Sequence, residues 1–466
     1  MAGKVVLTAE SGPIAGSVFS FDEHDTFIFG RGPECHAQLP ESDPSTSRHH
    51  FMLEVSPPLV RLRDLGSRNG TIVNGVKYGG KEAAPDAPLA VDLSDGDWIQ
   101  VGRTRFTLRV QSPEVESASK EPSSFVMFRN DEKTSASPVP CASCGKNVAH
   151  ELVGQNTKGS YYVCEACRGQ TDPIAMLQRM AIEIARLRGT KPEPALPGYE
   201  IGKLLGKGGM GAVYSARRLT DGGEVALKVM LSRMAVEEAA RKLFEREINV
   251  TRSLDHPNIV KLLEYGSVSS AFFFAMELCP GGSFASLLSD AGGKVPLAQA
   301  APLMRGALDG LAHAHAQFFV HRDIKPGNIL VTAKEGGIPK LSDFGLAKSF
   351  DTAGLSGITM VGNTAGTYCY MSKEQVTNFK WVKPVSDVWS MGAVFYQMLS
   401  GELPRHEDPR RNPLLAILDG EVTSLREHAP ELPRKLTDVI DRALETRVAK
   451  RYQDAGEFRD ALGAVL

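Results

Sequence analysis

His321-Arg-Asp-Ile-Lys-Pro-Gly-Asn328, followed by Ser342-Asp-Phe-Gly345, decides the reading of the C-terminal part of this chain. Upstream, Val225-Ala-Leu-Lys228 puts one lysine on an apparent strand, and the helix-period stretch AARKLFEREINVTRSL offers Glu247 as its partner. Earlier still, Gly206-Lys-Gly-Gly-Met-Gly-Ala-Val-Tyr214 lies between two apparent strands, LLGK and GAVYSARR. Its glycines let a backbone approach phosphate oxygens closely, because no Cβ stands in the way. Alone, such a loop is equally a tight hairpin. The strand–loop–strand setting separates it from a dinucleotide fold, which needs a helix after the glycines. From Tyr199 onward strands come first and long helices later, which predicts a small β-rich lobe followed by a larger helical one.

The ordered set resembles the protein kinase signature, most closely that of the eukaryotic-like Ser/Thr kinases of bacteria, over about Tyr199 to Leu466. The resemblance implies an α+β bilobal fold and a non-specific serine/threonine protein kinase that moves the ATP γ-phosphate to protein substrates, with magnesium (or manganese) as cofactor. On that likeness Leu205, Gly206, Lys207, Gly208, Gly209, Met210 and Gly211 cover the phosphates. Lys228 holds the α- and β-phosphates, and Glu247 orients it through an ion pair. Asp343 ligates magnesium, and Asn328 holds the second metal site. Asp323 orients the substrate hydroxyl and accepts its proton, while Lys325 meets the γ-phosphate. In FFFAMELCPGG, Met276 resembles the gatekeeper, and Glu277 and Cys279 offer backbone hydrogen bonds to adenine. Val213, Ala226 and Leu330 would sandwich the ring, although each is equally an ordinary core residue.

Arg322 resembles the arginine that pairs with a phosphate on the activation segment. Within that segment Thr359 and Thr364 are the expected autophosphorylation sites, and Thr367 in Gly-Thr-Tyr resembles the threonine that reads Ser/Thr substrates; each is otherwise a solvated loop residue. Asp387, in SDVWSMG, matches the aspartate that holds the catalytic loop backbone. Two departures stand out: Ser372-Lys373-Glu374 replaces the family's Ala/Ser-Pro-Glu, and Thr251 stands where an apolar residue is usual behind the Glu247 helix. Glu374 is expected to pair with Arg451. The alternative reading is a catalytically weak pseudokinase scaffold that binds phosphothreonine partners.

Residues 1–110 alternate short β-rich runs (VVLTA, FIFG, FMLEV, LVRLRDL, TLRV) with turn residues, a spacing that predicts an all-β sandwich. Gly30-Arg31, Ser47-Arg-His-His50 and Leu65-Gly-Ser-Arg-Asn-Gly-Thr-Ile-Val-Asn-Gly75 together resemble the forkhead-associated (FHA) domain. The resemblance implies phosphothreonine-peptide binding, with Arg31, Ser47 and Arg48 on the phosphate and Asn69 and Asn74 on the peptide backbone. His50 and Gly70 would shape the loops. Taken singly, Arg31 is also an ordinary surface charge and SRNGT a good hairpin turn.

Residues 111–140 form a Ser/Pro-rich linker. In 141–170, Cys141-Ala-Ser-Cys144 and Cys164-Glu-Ala-Cys167 have the spacing of two thiolate knuckles, which suits a zinc ribbon with a structural four-sulfur Zn2+ site; two redox pairs or idle thiols are the other readings. A helical pattern and a Pro-rich break fill 171–197, as spacer or self-association element, before the catalytic domain at 198–466. With 42% hydrophobic residues, 23% charged and net charge −2, the chain gives no reason to expect nucleic acid or an anionic membrane as partner. No stretch approaches the ~20 apolar residues of a membrane span. APLMRGALDGLAHAHAQFFV carries Arg305 and Asp309 and reads as a packed helix. A cytoplasmic protein is expected, acting on Ser/Thr protein substrates and docking phosphothreonine-containing proteins.

Overall fold

Period-two burial organises the N-terminal region. In Lys4–Ser11 (β1), Val5, Leu7 and Ala9 are buried, while the residues between them face outward. The structure is a computed structural model. It describes residues 4–21, 25–33, 35–41, 43–57, 59–80, 90–111, 172–188, 196–208, 211–231, 252–268, 271–344, 365–377, 382–406 and 413–466, with Lys146 and Ile248. Ten further strands follow β1: Val18–Phe21 (β2), Asp25–Gly30 (β3), Ala37–Gln38 (β4), Phe51–Ser56 (β5), Leu59–Asp64 (β6), Thr71–Val73 (β7), Val76–Tyr78 (β8), Ala90–Leu93 (β9), Trp98–Val101 (β10) and Thr104–Gln111 (β11). They make two sheets, ordered β2-β1-β11-β10-β7-β8 and β4-β3-β5-β6-β9. The inner faces share one core, in which the Phe29 and Phe51 rings stack at 4.6 Å and Phe106 meets Phe29 edge-on at 5.8 Å. The expected sandwich is present.

The second sheet carries buried apolar residues on its outer face as well. Ile28 and Met52 are cross-strand partners on the face opposite Phe29 and Phe51, yet both are fully buried. They join Cys35 and Leu65 in a cluster with Val376, Leu414, Ile417 and Leu418 from the C-terminal part of the chain.

Pro173–Arg188 forms helix α1, begun by Asp172, whose carboxylate accepts the Ala175 N–H at 2.9 Å. A five-stranded sheet follows, ordered β12-β13-β14-β16-β15: Tyr199–Gly208 (β12), Gly211–Arg218 (β13), Glu224–Leu231 (β14), Leu262–Val268 (β15) and Ala271–Glu277 (β16). Buried Ala212, Tyr214 and Ala216 share one face with Val225, Leu227 and Val229. The start of α1 closes on this face, burying Ile174, Met176 and Leu177. The helix therefore spends its first apolar turns on the chain's own sheet. Burial, with the Asp172 carboxylate alongside, pushes the Tyr214 hydroxyl well above its ordinary range.

The remainder is helical, as the sequence predicts. Phe284–Asp290 (α2) opens with a capping box between Ser283 and Ser286. Leu297–Ala316 (α3) is the packed helix anticipated, burying Leu303, Met304, Ala307, Leu308 and Leu311. Then come the short strands Ile329–Val331 (β17) and Pro339–Leu341 (β18), and the helices Lys373–Thr377 (α4), Pro384–Ser400 (α5), Pro413–Asp419 (α6), Arg434–Ala443 (α7) and Ala455–Gly463 (α8). The core centres on α5, where Trp389, Phe395 and Tyr396 are fully buried. Among the described residues, no helix is long and apolar enough to cross a membrane.

Candidate active site

The glycine motif is the end of the β12–β13 hairpin. Gly208 pairs with Gly211; Gly209 and Met210 lie outside the described residues. Gly211 has φ +150°, and a Cβ there would stand 2.2 Å from the Val229 carbonyl oxygen, so only glycine fits against β14. Gly206 pairs with Val213, and Leu205 and Lys207 lie exposed on the hairpin. Val213 lies opposite Lys228 and Ser215 opposite Ala226, so the pleat puts Val213, Ala226 and Lys228 on one face, away from α1. Lys228 is buried there. Glu247 and Thr251 lie outside the described residues.

Met276 and Glu277 end β16, with Cys279 just beyond. The Glu277 N–H donates to Lys261 O at 2.9 Å, and its carboxylate takes Lys340 Nζ at 2.9 Å, which fixes the chain where adenine contacts are expected. Burial, aided by the Glu277 carboxylate, pushes the Cys279 thiol up to about 11, so it stays protonated at neutral pH. Leu330, half-buried, pairs with Lys340 in the β17–β18 hairpin.

The catalytic loop is held from below by one carboxylate. Asp387 in α5 is completely buried and accepts the backbone N–H of His321 at 2.6 Å and of Arg322 at 2.9 Å. His315 Nε2 reaches the same carboxylate at 3.0 Å. Because the His315 Nδ1 accepts the Ala455 N–H at 3.1 Å, the ring hydrogen sits on Nε2 and points at Asp387. Likewise, His321 Nδ1 accepts the Asp323 N–H at 3.3 Å, so Nε2–H donates to Ser342 O at 2.8 Å and ties the loop to the strand preceding Asp343. Arg322 and Asp343 have left-handed backbones, φ 70° and 63°, conformations a surrounding structure must over-determine.

On this frame Asp323 presents a half-exposed carboxylate. Its Oδ2 accepts Lys325 Nζ and Asn328 Nδ2, each at 2.9 Å, and no described residue donates to its Oδ1. Asn328 Nδ2 also donates to the Asp323 carbonyl at 2.7 Å, which fixes the amide and turns its oxygen lone pairs away from Asp323.

Beyond the loop, Glu374 accepts Arg451 Nη1 at 2.5 Å and Ser386 Oγ at 2.9 Å, so the expected Glu374–Arg451 pair is formed. Lys373 opens α4, and Gln375 ties the start of this helix to the catalytic loop. Its Oε1 accepts the Ser372 N–H at 3.0 Å, and its Nε2 donates to Arg322 O at 2.8 Å. Thr367 lies in the 3-10 turn Ala365–Tyr370; Thr359 and Thr364 lie outside the described residues.

In the N-terminal sandwich the phosphopeptide residues expected from sequence gather at one end of the β-strands. The Arg31 N–H donates to Ser47 O at 3.1 Å, Ser47 Oγ accepts the Arg68 N–H at 2.9 Å, and Asn69 Nδ2 donates to Ser45 O at 2.9 Å. Arg48 is exposed beside them. His50 is architectural as expected: buried, its Nδ1 accepts the Ser47 N–H and its Nε2 meets Gly70 O. Asn74 has a structural part in addition to the one expected of it. It occupies the positive-φ corner of the β7–β8 turn, and both ends of its amide are used on Asp97 and Trp98, so it shapes the fold. Two organisers were missed. Buried Asp64 accepts Gly66 N, Ser67 N, Ser67 Oγ and Thr71 Oγ1, and Asp43 accepts Ser45 N and Arg103 N.

The protein kinase domain model matches residues 199–460, more than half of the chain. The chain belongs to the protein kinase family. The FHA domain model matches residues 27–102. Among curated proteins, serine/threonine-protein kinase pkn2 of Myxococcus xanthus is 32% identical over 57% of this chain and 32% of its own length. Serine/threonine-protein kinase PknA of Mycobacterium tuberculosis is 33% identical over 57% of this chain and 61% of its own. CBL-interacting protein kinase 12 of rice is 33% identical over 54% and 45%. The match thus spans about a third to three fifths of these relatives.

In this kinase domain the helical lobe carries Asp323, Lys325, Asn328 and Asp343, and the sheet lobe carries the glycine hairpin and Lys228. The cysteine pairs at Cys141, Cys144, Cys164 and Cys167 lie outside the described residues.

Proposed function

We propose that this chain is a serine/threonine protein kinase that uses ATP and magnesium, with Asp323 as the residue that takes the substrate proton. The observation that carries this reading is the Asp323 carboxylate, steadied on one oxygen by Lys325 and Asn328. The loop beneath it is pinned by buried Asp387. The substrate Ser/Thr oxygen bonds to the γ-phosphorus while the bond to the β–γ bridging oxygen breaks. The hydroxyl proton passes to Asp323, and ADP leaves with the bridging oxygen. Since such a transition state is loose, the protein's work is positioning and charge compensation. Lys228 on the sheet and Lys325 on the loop supply the cations.

The Asn328 amide oxygen and the Asp343 carboxylate are the hard oxygen donors that suit magnesium. When bound, the metal would offset phosphate charge. Leu205–Gly211 would cover the phosphates. Val213, Ala226, Met276 and Leu330 would contact adenine, along with the backbone of Glu277 and Cys279, and Glu247 would orient Lys228. Arg322 would receive an activation-segment phosphate on Thr359 or Thr364, and Thr367 would select the substrate hydroxyl.

The FHA region would dock phosphothreonine-containing proteins through Arg31, Ser47, Arg48 and Asn69, raising the local concentration of substrates. The cysteine quartet would hold a structural zinc, in a chain that works in the cytoplasm. Zinc content of the purified protein, and its loss in Cys141→Ser, tests that part.

Labelled ATP and magnesium test the enzyme: label should appear on serine or threonine with the parent and vanish with Lys228→Met. Unlabelled parent protein that still binds phosphopeptide would favour the pseudokinase scaffold.

A further inference from the structure

Strand register in the second FHA sheet lines up an outer face of Thr26 and Ile28 on β3, Met52 and Glu54 on β5, and Arg61 and Arg63 on β6. Solvent suits the polar members of that set but not Ile28 and Met52, since one face of such a sheet is ordinarily wet. Here both are fully buried, packed in one cluster with Val376 of α4 and with Leu414, Ile417 and Leu418 of α6. Tyr368 and Met371, just after Thr367, pack against the same cluster. The Tyr368 hydroxyl is pushed upward by burial and feels the charges of Arg63 and Glu54 across the contact.

At the rim of this contact stands Asp419, the last residue of α6. Its carboxylate is 3.1 Å from Arg48 Nη2 and 3.5 Å from His49 Nδ1. Arg48 is the guanidinium expected to hold a peptide phosphate, and in this arrangement the chain's own carboxylate has it. The Arg48 side chain remains 63% exposed, so a competitor can reach it. A phosphothreonine brings nearly two negative charges and three acceptor oxygens, against the single charge of Asp419.

We propose that the outer sheet face of the FHA region is a docking surface for this chain's own kinase C-lobe, and that a phosphothreonine peptide releases it by taking Arg48 from Asp419. This rests on the reading that Arg48 binds phosphate. While docked, the FHA sheet covers Tyr368, Met371 and Val376, the neighbours of Thr367, and so bars a folded protein substrate from that side. Release opens it.

The test is amide hydrogen exchange and peptide binding on the full chain, using a degenerate phosphothreonine peptide mixture and its unphosphorylated counterpart. Phosphopeptide should speed exchange in Phe51–Val55 and Leu414–Asp419 of the parent, and the unphosphorylated mixture should not. Asp419→Asn should bind phosphopeptide roughly 2- to 5-fold more tightly, the range of an exposed ion pair. Ile417→Asp should exchange fast in both segments without peptide. Phosphate-dependent binding that is equal in parent and Asp419→Asn and leaves exchange unchanged would overturn the docking proposal while sparing the reader. No phosphate-dependent binding by the parent or either variant would remove the reader itself, and the proposal with it. Binding seen only in the variants would support the proposal in its strongest form.

Discussion

The loop that carries Asp323 and the loops around Arg48 solve the same problem in two ways. In each, a fully buried aspartate gathers backbone N–H groups: Asp387 under His321 and Arg322, and Asp64 under Gly66 and Ser67. The functional side chains above them differ. Asp323 is gripped by two neighbours within its own loop, whereas Arg48 is mostly exposed and held by one carboxylate from a distant helix. Chemistry needs a base fixed to a fraction of an ångström. A reader needs a cation that can change partners. The difference is between a residue that is positioned and one that is exchangeable.

Removing the Asp387 carboxylate should have the larger effect. Asp387→Ala leaves two buried backbone N–H groups and His315 without an acceptor, and should destabilise the kinase domain by about 3–5 kcal/mol. Denaturant unfolding of the full chain checks this, and phosphopeptide binding by the folded fraction should persist. Asp64→Ala should cost the FHA sandwich about 2–4 kcal/mol, through two N–H groups and two hydroxyls stranded in a buried loop. Phosphorylation of a short peptide should continue at the parent rate, which separates the two regions. If Asp64→Ala abolished peptide phosphorylation as well, transfer to a short peptide would depend on the folded sandwich, and the separation of the two aspartates' effects would fail.

The smallest effect is on pH. Burial holds the His50 imidazole below its ordinary value of 6.5, so the unfolded chain binds the proton more readily. Its contribution to stability is complete above about 6.5 and is lost as pH falls from there toward the folded value. Protection of the Ser47–Gly70 amides, taken relative to their intrinsic exchange rate at each pH, should therefore fall between pH 7 and 5, and the trend should flatten in His50→Gln.

Much of this was legible in the sequence where function resides in short local runs. The glycine hairpin, HRDIKPGN and SDFG carry the kinase resemblance in short runs whose residue types and spacing are distinctive. Asp387 and the Glu374–Arg451 pair were readable through the same resemblance, and the structure forms both sets of contacts. Gln375 was not, because a glutamine after an altered Ser-Lys-Glu looks like any polar surface residue until its amide meets Arg322 O. Asp64 hid for a similar reason: a strand-end aspartate is common, and only the return of the Ser67–Thr71 loop makes it a hub. The second buried face of the FHA sheet was present in FIFG and FMLEV as apolar residues at consecutive positions. Continuous apolar runs say that both sides are covered, but not by what. The partner, α6, lies hundreds of residues away, and nothing local names it.

One comparison bears hardest on the reading of this chain as an enzyme: the initial rate of γ-phosphate transfer from magnesium ATP to protein hydroxyls by the parent and by Asp323→Asn, at equal folded concentration. Asn keeps the shape and the contacts to the loop but does not accept the proton. The rate should fall roughly 10²-fold or more while ATP affinity stays within about twofold. Equal rates in the two proteins would contradict the role given to Asp323.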